Sequence, residues 1–198
     1  MPFRFNQASF LSSAFELSQL VTDEGMEIAF AGRSNAGKST AINRLCQQKN
    51  LCKTSKTPGR TQLINFFELD DAHRLVDLPG YGYAKVPIKM REHWNKVLTR
   101  YLLERASLHG LIIIVDIRRG LTDLDWGLID LVGNNLAAHV LLTKADKLKH
   151  GAMQKTINRV RKQLNDFRHI SVSSFSALSG QGLEEFETRC YEMLGNGA

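Results

Sequence analysis

Residues 32–39 read GRSNAGKS and match the pattern G-x-x-x-x-G-K-[ST] of a phosphate-binding loop. Glycines let backbone N–H groups converge on phosphate oxygens without a Cβ in the way. A helix that begins directly after such a loop points the positive end of its dipole at the anion. Lys38 would then reach the β- and γ-phosphates, and the Ser39 hydroxyl would bind Mg²⁺. The pattern also occurs by chance, but here it lies between a predicted strand and a predicted helix, which is the context that this chemistry requires.

Three later segments distinguish the kind of nucleotide. DLPG at residues 77–80 ends an apolar run, so a carboxylate lies near the outer shell of the metal and a glycine amide near the γ-phosphate. TKAD at residues 143–146 follows another apolar run, and Asp146 can accept N1–H and the 2-amino group of guanine, a donor pair that adenine lacks. The Lys144 stem can cover the base, and a backbone N–H of SAL at residues 176–178 can meet guanine O6. Each segment is weak alone, but together they predict a guanine-nucleotide site.

The loop KTPGRTQ at residues 56–62 carries hydroxyl groups of the kind that a nucleotide switch needs. Such a switch closes a hydroxyl onto Mg²⁺ while the γ-phosphate is present and releases it afterwards. Thr57 and Thr61 both qualify by type. Thr61 is favoured because it follows Gly59 and enters the next predicted strand directly. The alternative is a plain polar turn.

The predicted elements place these segments at one edge of a sheet. Apolar runs alternate with segments of helical periodicity, which indicates an α/β fold with a mostly parallel sheet and helices on both faces. Ligands of such sheets gather at the carboxyl ends of the strands, where all of these segments lie. The first twenty-odd residues precede this pattern and can cap an edge of the sheet. Strands are predicted at residues 27–31, 61–69, 73–77, 111–115, 138–142 and 169–173, and helices at residues 39–47, 89–106, 121–132, 152–166 and 182–194.

Length and composition are those of one globular domain. The 198 residues are 43% hydrophobic and 23% charged, which suits a single core without staples. No apolar run approaches the roughly 20 residues that cross a bilayer, and residues 1–13 lack the layout of a secretory signal. We therefore expect a cytoplasmic monomer without membrane association. Cys46, Cys52 and Cys190 match no metal-ligand spacing and are expected to be reduced thiols.

The chain is basic, with a net charge of +6 and a pI of about 9.3. A basic surface favours polyanions such as RNA through phosphate neutralisation. A solvated basic face would have the same composition, so charge alone leaves both interpretations open.

At these spacings the segments GRSNAGKS, TPGRTQLINFF, DLPGYGYA, TKAD and FSAL resemble those of the EngB (YihA/YsxC) family of bacterial ribosome-biogenesis GTPases, within the TrmE-Era-EngA-EngB-type superfamily. The resemblance covers residues 27–194, and the segments GRTQ-x-x-N-F and DLPGYGYA are specific to that family among GTPases. It implies a Ras-like P-loop GTPase fold with a six-stranded, mostly parallel sheet, one antiparallel strand and helices on both faces. Residues 1–24 would be an N-terminal extension, and residues 25–198 the G domain.

The resemblance also implies a function. It implies a GTP switch that acts on the large ribosomal subunit precursor and its rRNA and is required for normal cell division and septation. Ser39 and Thr61 become the Mg²⁺ ligands, and Lys38 and Asn35 the catalytic residues. The residues expected to contact GTP or GDP are Gly32, Arg33, Ser34, Asn35, Ala36, Gly37, Lys38, Ser39, Thr40, Gly59, Arg60, Thr61, Gln62, Leu63, Asp77, Leu78, Pro79, Gly80, Thr143, Lys144, Ala145, Asp146, Phe175, Ser176 and Ala177.

Two positions depart from the broader GTPase pattern. Thr143 replaces the usual asparagine of the base motif; since it can still form a local hydrogen bond, weaker rather than altered base choice is expected. Tyr81 stands where Ras-type proteins place a water-orienting glutamine. Slow intrinsic hydrolysis that a partner accelerates is therefore expected. Asn35 offers a substitute, because an asparagine here helps to hold K⁺ in similar GTPases, although it can equally cap a turn.

Late in the chain, basic side chains predict either an rRNA-facing patch or an ordinary solvated face. The loop Tyr81-Gly82-Tyr83 is a second candidate contact with a partner. The basic residues are Lys144, Lys147, Lys149, Lys155, Arg159, Arg161, Lys162 and Arg168.

Two other functions compete with a regulatory GTPase. A P-loop small-molecule kinase would need a lid and an acceptor pocket, and it has no use for a TKAD clamp. A nucleotide-gated scaffold with incidental hydrolysis is more compatible with Tyr81.

Overall fold

The computed structural model describes residues 3–52, 63–82 and 88–195. Within them the chain forms seven strands and five α-helices. These are β1 (Ser9–Ala14), β2 (Met26–Gly32), α1 (Lys38–Leu45), β3 (Ile64–Glu68), β4 (His73–Asp77), α2 (Ile88–Glu104), β5 (Leu108–Asp116), α3 (Asp123–Val132), β6 (Ala137–Thr143), α4 (His150–Gln163), β7 (Ile170–Ser174) and α5 (Leu183–Met193).

All strands belong to one sheet with the order β1-β3-β4-β2-β5-β6-β7. Strands β4, β2, β5, β6 and β7 are parallel to their neighbours in that run. Strand β3 is antiparallel to both β1 and β4, so it is the one antiparallel strand, as predicted. The predicted number of six strands is wrong, because β1 adds a seventh at the edge.

Strand β1 escaped prediction because its sequence, SFLSSA, has little apolar alternation. Its first three residues are exposed, and Ala14 is buried at its end. Edge strands are commonly short and polar, which suppresses pairing with other chains. The residues that precede the predicted pattern thus extend the sheet through β3, with Ala14 opposite Ile64.

Helices cover both faces of the sheet. Side chains of β2 alternate between two cores, because successive residues of a strand point to opposite faces. Ala29 and Ala31 belong to the core beneath α2, α3 and α4, whereas Ile28 and Phe30 belong to the core beneath α1 and α5. Every residue of β5 except His109 is buried, as expected of a central parallel strand.

The buried carboxylate of Glu27, near the start of β2, is the centre of a hydrogen-bond network that also reaches the segment before β2. Glu27 is fully buried and accepts hydrogen bonds from Arg74 (3.0 Å), Arg105 (2.6 Å) and the Tyr101 hydroxyl (2.9 Å). Arg105 also donates to the carbonyl of Val21 at 3.0 Å. A buried charge is tolerated when it is paired and hydrogen-bonded in this way.

Every predicted helix and strand has a counterpart, with ends that shift by a few residues. The predicted strand at residues 61–69 is described only from Leu63 onward, so Thr57 and Thr61 lie outside the described residues. Among the helices that are described, none is long and apolar enough to span a membrane. Cys46, Cys52 and Cys190 are buried free thiols.

Candidate nucleotide-binding site

The phosphate-binding loop connects β2 to α1, and two of its glycines are required by geometry. Gly37 precedes α1 with a φ of 104°, in the left-handed region that glycine adopts without a steric cost. A Cβ on Gly32 would lie 2.8 Å from the carbonyl oxygen of Ile114, so only glycine lets β2 pack this closely on β5. Asn35 is also left-handed, with a φ of 63°, a conformation that asparagine tolerates better than most residues.

Lys38 and Asp77 meet at the centre of this edge. Lys38 is the first residue of α1, and Asp77 is the last residue of β4, in register with Phe30 of β2. The Lys38 ammonium contacts Oδ1 of Asp77, and both side chains are largely buried. The two charges predicted to serve the phosphates and the metal shell are therefore adjacent.

The segment after β4 runs along the phosphate-binding loop. The Tyr81 N–H donates to the carbonyl of Gly32, and the Ser34 N–H donates to the carbonyl of Tyr81, both at 3.2 Å. A Cβ on Gly80 would lie 3.5 Å from the backbone nitrogen of Ser34. Gly80 and Tyr81 thus lie directly against the phosphate-binding loop.

The Tyr81 side chain reaches the first turn of α3. Its hydroxyl donates to Oδ1 of Asp125 at 2.6 Å. Burial, and then the Asp125 charge, raise the pKa of Tyr81 well above its usual value. Oδ2 of Asp125 accepts from the Thr122 N–H (2.8 Å) and hydroxyl (2.6 Å), which caps α3. Tyr81 is therefore committed to a hydrogen bond at the start of α3.

Five of the seven predicted base-binding residues line a cavity of about 230 Å³, whereas Ala145 and Ser176 are buried and do not line it. Asp146 lies at its edge and accepts a hydrogen bond from the Ser176 hydroxyl at 2.8 Å. This hydrogen bond, followed by that from Lys147, lowers the pKa of Asp146, so the carboxylate is ionised at neutral pH. The cavity is lined by Gly37, Thr40, Thr143, Lys144, Asp146, Lys147, Phe175, Ala177 and Leu178.

Thr143 joins the base segment to the phosphate-binding loop. Its buried hydroxyl lies 2.5 Å from the carbonyl oxygen of Ala36 and 3.1 Å from that of Val115. A hydroxyl has a single proton to donate, and the shorter contact is to Ala36. Threonine thus still forms a hydrogen bond here, as expected, although its acceptor lies 107 positions away along the chain.

Asp116 is a residue of the site that the sequence interpretation missed. It accepts from Lys144 Nζ at 2.9 Å and from Arg118 Nη2 at 2.5 Å, and Lys144 Nζ also donates to the carbonyl of Asn35 at 2.6 Å. The Arg118 hydrogen bond, and then Lys144, hold the pKa of Asp116 well below its usual range. Its position was a usable signal, because Asp116 ends the apolar run of β5 just as Asp77 ends that of β4.

The structure thus gathers four of the five predicted groups at the carboxyl edge of the sheet. Residues 32–40, 77–80, 143–146 and 175–177 lie there together. The fifth group, Gly59, Arg60, Thr61, Gln62 and Leu63, is described only at Leu63, which is exposed before β3. Lys147, Leu178 and Asp116 are additional residues of this edge.

A phosphate-binding loop after one parallel strand, with a guanine clamp after another strand of the same sheet, is the arrangement of P-loop GTPases. A family model described as "50S ribosome-binding GTPase" matches residues 27–147. The chain is 49% identical to the probable GTP-binding protein EngB of Vibrio parahaemolyticus over 187 residues, covering 93% of this chain and 85% of that protein. It is 51% identical to the Escherichia coli protein of the same name, covering 93% and 89%. The chain belongs to the EngB family of GTP-binding proteins and is a GTPase.

Solved structures agree with this assignment. A crystal structure of a probable GTP-binding protein engB superposes with a TM-score of 0.69 at 26% identity, covering 85% of this chain and 98% of that one. A variant of Aquifex aeolicus Era bound to GDP·AlF₄⁻ has a TM-score of 0.67 at 20% identity, covering 86% and 57%, and shows the shared fold. The predicted family and Ras-like fold are confirmed, and the competing prediction of a small-molecule kinase is wrong.

Proposed function

We propose that this GTPase is a switch in the assembly of the large ribosomal subunit, acting on the subunit precursor and its rRNA, and that normal cell division and septation require it. The observation that carries the proposal is the match of residues 27–147 to the model of 50S ribosome-binding GTPases, together with the cavity that Asp146 and Lys144 line. We further propose that it acts as a cytoplasmic monomer. Its excess of basic residues is compatible with an RNA-rich partner.

The nucleotide would be held by the groups already described. Backbone N–H groups of residues 32–40 would hold the phosphates, with Lys38 on the β- and γ-phosphates, and Asp146 would select guanine. Mg²⁺ favours hard oxygen donors, and the Ser39 hydroxyl and the Asp77 carboxylate provide them at this edge. Ser39 and Thr61 are the proposed direct ligands, with Asp77 in the outer shell.

Hydrolysis is proposed to be slow until a partner completes the site. The support is Tyr81, whose side chain has no amide that could orient a water molecule. Its hydroxyl is instead hydrogen-bonded to Asp125 at 2.6 Å. K⁺ held with the help of Asn35 is a proposed part of the completed site. Turnover in KCl that exceeds turnover in NaCl, measured with and without ribosomal particles, supports this role. Equal turnover in the two salts assigns Asn35 to the turn alone.

The exposed face of α4 is proposed as one rRNA-facing surface. Lys155, Arg159, Arg161 and Lys162 are exposed on this helix, and Arg161 also donates to the carbonyl of Val172 at 3.1 Å. Reversal of Arg159, Arg161 and Lys162 to glutamate should weaken binding to large-subunit particles and flatten its salt dependence. Unchanged binding would remove this surface from the proposal.

Single-turnover GTP hydrolysis, measured with and without large-subunit precursors, tests the central proposal. Acceleration by the precursors is expected of a switch whose site is completed on the particle. A nucleotide-gated scaffold, the competing function, would bind the particle in its GTP state without acceleration. Crosslinking of the protein loaded with a GTP analogue would map its contacts on the particle.

A further inference from the structure

A second cavity, of about 200 Å³, lies between the phosphate-binding loop, the end of β5 and the start of α3. We call it the loop–α3 cavity. It is separate from the base-binding cavity, although Lys144 borders both. Its charged lining residues are Arg33, Asp116, Arg118, Arg119, Asp125 and Lys144.

The lining carries more positive than negative charge. Both of its carboxylates are already engaged: Asp116 by Arg118 and Lys144, and Asp125 by Tyr81 and Thr122. Arg33 and Arg119 have no carboxylate partner within the part of the chain that the structure describes. Two arginines without a carboxylate partner among the described residues therefore line one concave space, and guanidinium groups suit an external anion.

Cationic side chains continue outward from the mouth of this cavity. Gly120 follows Arg119 in the segment between β5 and α3. A Cβ on Gly120 would lie 3.0 Å from Nη2 of Arg159, so the Arg159 guanidinium lies against this segment. Lys155 precedes Arg159 by one helical turn and is exposed on the same face of α4. The positive surface thus extends from Arg33 and Arg119 to Arg159 and Lys155, which is longer than one small anion. A row of successive phosphates, as in a nucleic-acid backbone, could contact all of it.

We propose that the loop–α3 cavity binds a backbone phosphate of ribosomal RNA, with Arg33 and Arg119 as its ligands and Arg159 on a neighbouring phosphate. This inference rests on the proposed ribosomal function and assigns it a site beside the nucleotide. Guanidinium groups bind phosphate oxygens in a bidentate manner, and each such contact releases a counterion from the RNA. The bound RNA would lie against the backbone of Arg33 and Asn35, the outer side of the loop that holds the nucleotide phosphates.

Arg119 is the residue to change, because Arg118 and Lys144 also hold Asp116, and Arg33 belongs to the phosphate-binding loop. The test compares the full-length protein with Arg119→Glu, Arg119→Lys and Arg189→Glu, each loaded with a non-hydrolysable GTP analogue. Arg189 is the matched control, since it lies on α5 and pairs with Glu192 on the other face of the sheet. Binding to purified large ribosomal subunits is measured by sedimentation over a series of KCl concentrations, and circular dichroism checks that each variant is folded.

Arg119→Glu should weaken binding by about tenfold or more and reduce the salt slope by about one. Arg119→Lys should recover most of the affinity, and Arg189→Glu should bind as the parent does. Equal binding by the parent and Arg119→Glu, or equal loss in Arg119→Glu and Arg189→Glu, would overturn the cavity as a site and leave the ribosomal function standing. Failure of the parent to bind subunits would remove both. A photocrosslinker at position 119 should label rRNA; labelling of a ribosomal protein instead would also overturn the proposal.

Discussion

The Tyr81 hydroxyl donates a 2.6 Å hydrogen bond to the buried carboxylate of Asp125, and this bond joins the end of the DLPG segment to the first turn of α3. Tyr81 also pairs through its backbone with the phosphate-binding loop. One residue therefore connects the loop that binds phosphate to a helix on the outer layer. Tyr81 therefore contributes to positioning this segment between the phosphate-binding loop and α3.

Tyr81→Phe tests the contribution of this bond. The substitution leaves the Asp125 carboxylate without one of its donors, so the free energy of unfolding should fall by about 1–3 kcal/mol. Urea unfolding monitored by circular dichroism measures the change. Tyr191→Phe is the matched control, because the Tyr191 ring packs on Phe3 and Phe5 and its hydroxyl has no hydrogen bond to the described residues. A loss of the same size in both variants would show that the Tyr81–Asp125 bond is not the cause.

Asp146→Asn tests the base clamp. The amide that replaces the carboxylate cannot accept from both N1–H and the 2-amino group of guanine, so the affinity for GTP should drop on the order of a hundredfold. The affinity for xanthosine triphosphate should rise, since xanthine presents an acceptor where guanine presents its amino group. Isothermal calorimetry with both nucleotides gives the comparison. Asp166→Asn, an exposed carboxylate beyond α4, should leave both affinities as they are. A guanine preference that survives Asp146→Asn would contradict the assigned clamp.

Glu27→Gln tests the buried network at the amino end of β2. The amide leaves Arg74 and Arg105 without their anionic partner, and breaking a buried pair from one side costs about 3–5 kcal/mol. The melting temperature and the urea midpoint should both fall. Glu104→Gln removes the exposed partner of Arg100 and should change stability little, as exposed pairs do. Equal stability of Glu27→Gln and the parent would mean that the network is not stabilising.

His139 predicts a dependence of stability on pH. Its ring nitrogens lie 2.7 Å from the Ser171 hydroxyl and 2.8 Å from the Ser173 hydroxyl, inside the sheet. Burial, with a smaller effect of Arg189, lowers the pKa of His139 from 6.5 to about 3. Below pH 6.5 the unfolded chain takes up a proton that the folded chain does not. The free energy of unfolding should therefore decrease as the pH falls, by up to about 1.4 kcal/mol per pH unit, until the folded pKa is reached.

Urea unfolding at about pH 7 and about pH 5 measures this slope. His139→Gln, whose amide can still bond both serines, should have a smaller slope than the parent. His150→Gln, at the exposed start of α4, should keep the slope of the parent. A slope that His139→Gln does not alter would assign the pH dependence to other groups.

Much of the site is a local property of the sequence. Gly37 must be glycine because of its own left-handed backbone, and the order of the loop, strand and helix around it follows from contiguous residues. Apolar runs of five residues or so are sufficient to locate parallel strands buried on both faces, and the ends of those runs locate Asp77 and Asp146. The class of nucleotide, the mostly parallel sheet and the edge at which the site lies are therefore readable from one chain.

The tertiary structure alone decided the contacts between distant segments. Strand β1 carries too little apolar alternation to be recognised, and only its pairing with β3 defines it. Tyr81 meets Asp125 across 44 positions, and Lys144 meets Asp116 across 28, and nothing in either local pattern specifies the partner. The loop–α3 cavity combines side chains from three such segments. Local periodicity specifies which face of an element is apolar, whereas the partner of a polar side chain depends on how the packed elements bring separate strand ends and helix starts together.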